Sequence, residues 1–272
     1  MDEQHGPNVK GAGSTPAKST IFIPPSYSGS TGSFEWWFDS IRGSQFMKHF
    51  AQLDQDAWIE SLFPVGYKGY FVDIGAASGK WISNTFHLEN LGWNGICVEP
   101  NPESYAELKN VRKCPSFNLA VADTNGKAKF TLKGEMSQIV FENADDNRDI
   151  FGGGPSKQIV EIETVTPLDL LVRANAPSVI DYLSLDTEGN ERAILAVFPF
   201  HLYKVKAITV EHNAHRQGPS RKNSIKCTLL AHGFQIAKED VEGFEDWYIH
   251  PENIKCLQQA EQSTMTTPTV TG

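Results

Sequence analysis

The chain has 272 residues, 40% of them hydrophobic and 21% charged, with a formal net charge of -9 at pH 7. That length suits one large domain or one domain with extensions, and the apolar content excludes a wholly disordered chain. The acidic balance argues against a surface built to hold nucleic acid, and no apolar stretch approaches the roughly 20 residues that span a bilayer.

Residues 1–32 are rich in Gly, Ser, Thr, Pro and Lys and read as a mobile arm. They lack the apolar run of a secretory signal, so residence in the cytoplasm is the expectation. Residues 33–256 are expected to form one domain, opened by a helical extension over 33–68. Within it Phe34 to Phe63 reads as helical, with Trp58, Ile59, Leu62 and Phe63 on one face, Asp54 as its cap and Pro64 beyond its end. From Gly69 onward apolar strands alternate with helical segments. The strands are placed at 70–74, 95–99, 117–122, 180–185 and 205–211, with helices starting near Lys80, Pro102, Gly189 and Ser220. Asn101 before Pro102 has the pattern of a cap followed by a first-turn proline, and Gly233 closes the last helix. Asn125-Gly126 marks a turn into an antiparallel insertion at 127–132, and the polar, glycine-rich stretch 141–157 is long enough to be a lid or loop. FQIAKEDV and EDWYIH pair as a closing hairpin, and residues 257–272 read as a frayed tail. The four cysteines show no CxxC spacing and read as reduced thiols. The fold expected is a doubly wound, mostly parallel α/β sheet.

In such a sheet ligands bind beyond the carboxyl ends of the strands, at the switch point. The first strand runs into Asp73-Ile-Gly75-Ala76-Ala-Ser78-Gly79, where glycines let backbone approach a ligand and the following helix offers free N–H groups. A dinucleotide fingerprint would need a third glycine, which weakens an NAD-type oxidoreductase as the alternative. Glu99 ends the second strand, where an acid can accept both ribose hydroxyl protons, and Asp123 ends the third, where a carboxylate can accept from an adenine amino group. No P-loop lysine follows the glycines. Together these residues describe a site for an adenosine group that needs no phosphate.

The blocks VDIGAASG, SNTFHLE, GWNGICVEPNP, LAVADTNGKAKF, TPLDLL and IDYLSLDTEGNE occur in order, and they resemble the FkbM family of S-adenosylmethionine-dependent methyltransferases from about His49 to Asn213. HFAQLDQDAWIESLF is similar to the family's upstream segment, with Ala51 where serine is usual. The resemblance implies a Rossmann-like class I methyltransferase fold with a C-terminal antiparallel hairpin. It also implies O-methylation of a hydroxyl on a small molecule or glycan. Asp73, Gly75, Ala76, Ser78 and Gly79 would hold the methionine part of S-adenosyl-L-methionine, Glu99 with Pro100 the ribose side, and Asp123 the adenine. Gln52 and Asp56 would close over the methionine end.

Methyl transfer is an in-line displacement, so the protein must align two atoms and help remove the hydroxyl proton. Asp186 and Glu188 follow the fourth strand, while Glu211 and His212 end the fifth. His212 is the best candidate for the base by its intrinsic pKa, with His212 or Asp186 expected to assist removal of the proton and Glu211 the third catalytic candidate. The alternative is a divalent metal such as Mg²⁺ held by Asp186, Glu188 and Glu211, all hard oxygen donors. The basic stretch His215-Arg216 to Arg221-Lys222 is a solvated loop or the seat of an anionic acceptor. A fold of this kind can also serve as a non-catalytic binding module.

Overall fold

The computed structural model describes residues 49–132, 137–139 and 158–254. The expected arm and tail, residues 34–48 and the stretch 141–157 lie outside the described residues.

The first described helix, α1 (Gln55–Leu62), ends two residues before Pro64, close to the expected end at Phe63, but Asp54 makes no side-chain capping bond and sits at φ 62. Strand β1 (Tyr70–Ile74) follows, then α2 (Phe86–Asn90), β2 (Asn94–Val98), α3 (Pro102–Val111) and β3 (Ser116–Phe117). Helix α2 begins at Phe86, not near Lys80. Ala77, Gly79 and Ile82 take left-handed backbone, which no helix tolerates, and the Arg112 guanidinium donates to the Gly79 carbonyl (3.1 Å), Ser83 Oγ (3.2 Å) and Thr85 Oγ1 (2.9 Å). At α3 the Asn101 side chain accepts from the Glu103 N–H and Pro102 opens the first turn, as its sequence pattern implies.

The expected strand at 117–122 is instead two strands in two sheets. Its first half is β3; its second half, β4 (Ala120–Val121), departs to pair with another sheet. Asn118 marks the break, its amide donating to the carbonyls of Glu99 (2.9 Å) and Pro100 (3.0 Å) and turning the chain away from β2. The second sheet adds β5 (Gly126–Leu132), β6 (Gln138–Ile139) and β7 (Gln158–Val165) in the order β4-β7-β5-β6. It contains the antiparallel insertion that Asn125-Gly126 announces.

The chain then returns through α4 (Pro167–Arg173), β8 (Val179–Leu185), α5 (Glu191–Val197), β9 (Lys204–Glu211), α6 (Ala214–Gln217) and α7 (Pro219–Ala231). It closes with β10 (Gln235–Val241) and β11 (Glu245–Ile249). The seven-stranded main sheet runs β10-β11-β9-β8-β1-β2-β3. Strands β3, β2, β1, β8 and β9 are parallel, and the closing hairpin adds β11 and β10 antiparallel. The central strands are buried along nearly their whole length, as parallel strands covered on both faces must be. Val72, Ile74 and Leu183 pack with Leu170, Ile194 and Leu229 from α4, α5 and α7. Phe71, Cys97 and Tyr182 pack with Ile59, Leu88 and Leu108 from α1, α2 and α3. Helices therefore cover both faces, the doubly wound arrangement. Each fully buried Leu, Ile or Val contributes about 1.5 to 3 kcal/mol. Among the described residues no helix is long and apolar enough to cross a membrane.

The chain leaves β1 toward β2 on one side and places β8 on the other, so the switch point lies at the carboxyl end of β1.

Candidate active site

A cavity of about 300 Å³ opens at that switch point. Its floor is backbone. Gly75 has φ +93, and a Cβ there would stand 1.6 Å from the Asp186 carbonyl oxygen, so only glycine lets the ends of β1 and β8 abut. Gly75 and Ala77 line the cavity, whereas Asp73, Ala76, Ser78 and Gly79 do not. Asp73 is buried beneath it, accepting from Thr85 Oγ1 at 2.5 Å, and burial raises its pKa. Gly79 (φ +83) packs against Leu108 and Arg112. These residues shape the turn from below.

Glu99, at the end of β2, lines the cavity together with Pro100. Its Oε2 accepts from the Ala77 N–H (2.9 Å) and its Oε1 from the Asn101 N–H (2.7 Å). Burial nevertheless pushes its pKa up to about 7, opposed by those two bonds and assisted by Asp73 and Asp186. Each carboxylate oxygen has two lone-pair directions, so Glu99 keeps one per oxygen for a ligand's hydroxyl pair. Asp123 is exposed in the turn before β5 and does not line the cavity. The wall there consists of Leu119, Ala120 and Val121, brought in when the chain leaves β3 for β4, and of Phe130 and Ile139 from the second sheet.

The opposite end is acidic. Asp186, Glu188 and Glu211 all line the cavity, and each offers a carboxylate oxygen within 4.8 Å of the others. Burial first, then the charges of Asp186, Glu188 and Glu191, raise the Glu211 pKa well above the usual carboxylate range. Glu188 has a left-handed backbone (φ 56). Glu191, not Glu188, holds the turn after β8, its Oε1 accepting from the N–H groups of Thr187 (2.8 Å) and Gly189 (3.1 Å). Asn190 ties that turn to β4 by donating to the Val121 carbonyl at 2.8 Å.

His212 is buried but does not line the cavity. Its Nδ1 accepts from the Ala214 N–H at 3.0 Å, and its Nε2 lies 3.4 Å from Asp246 Oδ1, away from the acidic end. The alternation of side chains along an extended chain sends neighbouring Glu211 and His212 to different sides, which adjacency in sequence hides. A small second cavity shares Asp186, Glu211 and Gln52 with the first and adds Gln55, Asn84 and Glu245. Burial pushes Glu245 up to about 7. Asp56 lines neither cavity; it is buried and accepts from the N–H groups of Phe50 (2.7 Å) and Ala51 (3.4 Å), which braces the loop carrying Gln52. Arg221 lies 3.5 Å from Glu191, and Lys222 lies 3.1 Å from Asp240, so both are engaged with acids of the fold.

Nothing in the linear pattern marks Phe130, Ile139, Phe244 or Glu245 as wall residues, since they arrive from the second sheet and the closing hairpin. Asn190 and Asn213 were accessible to the same rule that found Asp186 and Glu211, for they too follow the carboxyl ends of β8 and β9.

A family model described as "Methyltransferase FkbM domain" matches residues 73–236, more than half of the chain. No curated protein matches. Among solved structures the chain is similar to a methyltransferase FkbM from Methylobacillus flagellatus KT, with 12% identity and a TM-score of 0.42 over 67% of this chain and 43% of that one. It is similar also to a precorrin-6y C5,15-methyltransferase from Geobacter metallireducens GS-15, with 14% identity and a TM-score of 0.38 over 71% and 84% of the two chains. A sugar N-methyltransferase from Streptoalloteichus sp ATCC 53650 matches with 11% identity and a TM-score of 0.35 over 86% and 99%.

Proposed function

The chain belongs to the FkbM family of S-adenosylmethionine-dependent methyltransferases, and from that premise we propose that it methylates a hydroxyl on a small molecule or carbohydrate. The observation that carries this reading is the acidic end of the cavity, where Asp186, Glu188 and Glu211 converge beside the glycine turn. A hydroxyl is a weak nucleophile, and an ionised carboxylate at the point of attack is suited to take its proton.

The cavity fits the cofactor by its donor set. Glu99 would hold the ribose hydroxyls, the apolar wall of Leu119, Val121 and Phe130 would flank the adenine, and Gly75 with Ala77 would present backbone to the methionine part. Gln52 would close over that end from the loop braced by Asp56. When bound, S-adenosylmethionine supplies a methyl group on a positively charged sulfur.

Three close carboxylates cannot all ionise at little cost, and burial together with the neighbouring acids favours the protonated form of Glu211. Asp186 would accept the acceptor's proton as the hydroxyl oxygen takes the methyl group and the methyl–sulfur bond breaks, and Glu211 would keep that carboxylate in place. The same trio is a hard-oxygen set for Mg²⁺, which would instead lower the hydroxyl's pKa before attack. The test is a mass-spectrometric screen of hydroxylated acceptors and their amino analogues with S-adenosylmethionine, with and without chelator. One added methyl on a hydroxyl, with no turnover that Mg²⁺ restores after chelation, is the expected result. Methylation confined to amines would overturn the hydroxyl assignment, and chelator-sensitive turnover restored by Mg²⁺ would transfer the proton step to a metal.

A further inference from the structure

Outside both cavities a second cluster of ligand-type side chains converges from three places in the chain. His49 precedes α1, Glu60 lies on α1 and His87 on α2, and one donor atom from each lies within 4.8 Å of the others. His87 Nε2 and Glu60 Oε2 are 2.8 Å apart, and the rings of His49 and His87 meet edge-on with centroids separated by 4.7 Å. Behind His49, Asp56 Oδ1 lies 3.7 Å from Nδ1, a buried nitrogen with no hydrogen-bond partner among the described residues.

We propose that His49, Glu60 and His87 form a binding site for one first-row divalent metal ion, Zn²⁺ foremost. Two imidazoles and one carboxylate are a borderline donor set that suits Zn²⁺ with a fourth position left to water, whereas Mg²⁺ and Ca²⁺ prefer oxygen ligands throughout. Tetrahedral ligands about 2.1 Å from zinc stand roughly 3.4 Å from one another, so separations of up to 4.8 Å must close by at most about 1.4 Å and the 2.8 Å between His87 and Glu60 must open by about 0.6 Å. The His49 and Glu60 side chains are 30% and 35% exposed, which leaves a route for the ion. Binding replaces any proton shared by His87 and Glu60, which passes to solvent. Asp56 sits where an outer carboxylate orients a metal-bound imidazole.

The ion would act as a brace. The segment from His49 runs directly into Gln52, which lines both cavities, and Ala51 forms a bridge with Ile82, which lines both as well. Tying His49 to α1 and α2 therefore fixes one edge of the candidate active site without placing metal in it.

The experiment strips the full chain with chelator and titrates it with Zn²⁺, reading stoichiometry by calorimetry and melting temperature. One equivalent should bind, and Zn²⁺ at about 100 times its Kd should raise the melting temperature by about 5 to 10 °C. Affinity should fall by about 100-fold or more in His87→Gln and in Glu60→Gln, two variants so that a folding failure in one leaves the other to decide. It should persist in an Asp186→Asn, Glu211→Gln double variant, which separates this site from the acidic trio. Co²⁺ in place of Zn²⁺ should show no thiolate-to-metal absorption, which excludes Cys97 and Cys114 as the ligands. Absence of saturable binding, unchanged affinity in both single variants, loss in the double variant or a thiolate band would each overturn the proposal.

Discussion

Glu99 is a residue whose surroundings conflict until a ligand arrives. Burial favours its neutral form and raises its pKa to about 7, yet accepting two hydroxyl protons requires the carboxylate. S-adenosylmethionine affinity should therefore rise between pH 6 and 8 in the native chain. Calorimetry on Glu99→Gln should show affinity lower by about tenfold to 150-fold, from the loss of about 1.5 to 3 kcal/mol of charge-assisted bonding, and a flattened pH dependence. An unchanged affinity in that variant would remove Glu99 from the site. Gly75 and Glu99 could both be picked out from the sequence because their chemistry depends on position after a strand. Asp123 obeyed the same rule, but the strand before it breaks at Asn118, and the carboxylate ends in an exposed turn.

Among the elements, the loop between β1 and α2 depends on a side chain from the end of α3. Arg112 is buried, donates to Glu89 Oε2 at 3.0 Å and to three oxygens of residues 79–85, and stands 4.0 Å from Asp73. Replacing it leaves the buried Asp73 and the part-buried Glu89 without their cation. Arg112→Met should thus cost about 3 to 5 kcal/mol, a fall in melting temperature of about 10 °C by thermal denaturation. It should also weaken cofactor binding, because the same loop carries Ile82 and Asn84 to the cavities. A loss below 1 kcal/mol would show that the loop holds itself. Alternating apolar runs sufficed to place β1, β8, β9 and the closing hairpin within about a residue of their observed limits. The delayed start of α2 was hidden, since the glycine turn and the Ser-Asn-Thr block favour no helix or loop until Arg112, distant in sequence, supplies the bonds. The four-stranded second sheet was legible only as an antiparallel insertion after the Asn125-Gly126 turn, for β5 pairs with β6 and β7, which lie further along the chain.

For the whole molecule, three buried acids at one end of the sheet set the dependence of stability on pH. Glu99 and Glu245 are each raised to about 7 and Glu211 is raised well above the usual carboxylate range, burial being the main cause in every case. Their folded forms bind protons more tightly than the unfolded chain, so the stability this contributes is complete below about pH 4.5 and is lost as pH rises through 7. The melting temperature of the cofactor-free protein should fall from pH 5 to 8, by at most about 3 kcal/mol of stability for each group near 7. Saturating S-adenosylmethionine should lessen the fall by stabilising ionised Glu99. A flat or rising profile in the free protein would contradict this picture of the acidic end.

The most direct measurement compares turnover of Glu211→Gln, Asp186→Asn and His212→Asn on one accepted hydroxyl substrate, with cofactor affinity measured in parallel. Asparagine can keep an oxygen near the position of His212 Nδ1 to accept from the Ala214 N–H, so that variant tests chemistry more than folding. The expected result is a loss of about 10² to 10⁴-fold in Asp186→Asn, a smaller loss in Glu211→Gln, and turnover within a few-fold of native in His212→Asn, with cofactor affinity retained in all three. Native-like turnover in both carboxylate variants, with a collapse in His212→Asn, would contradict the assignment of proton removal to the acidic end of the cavity.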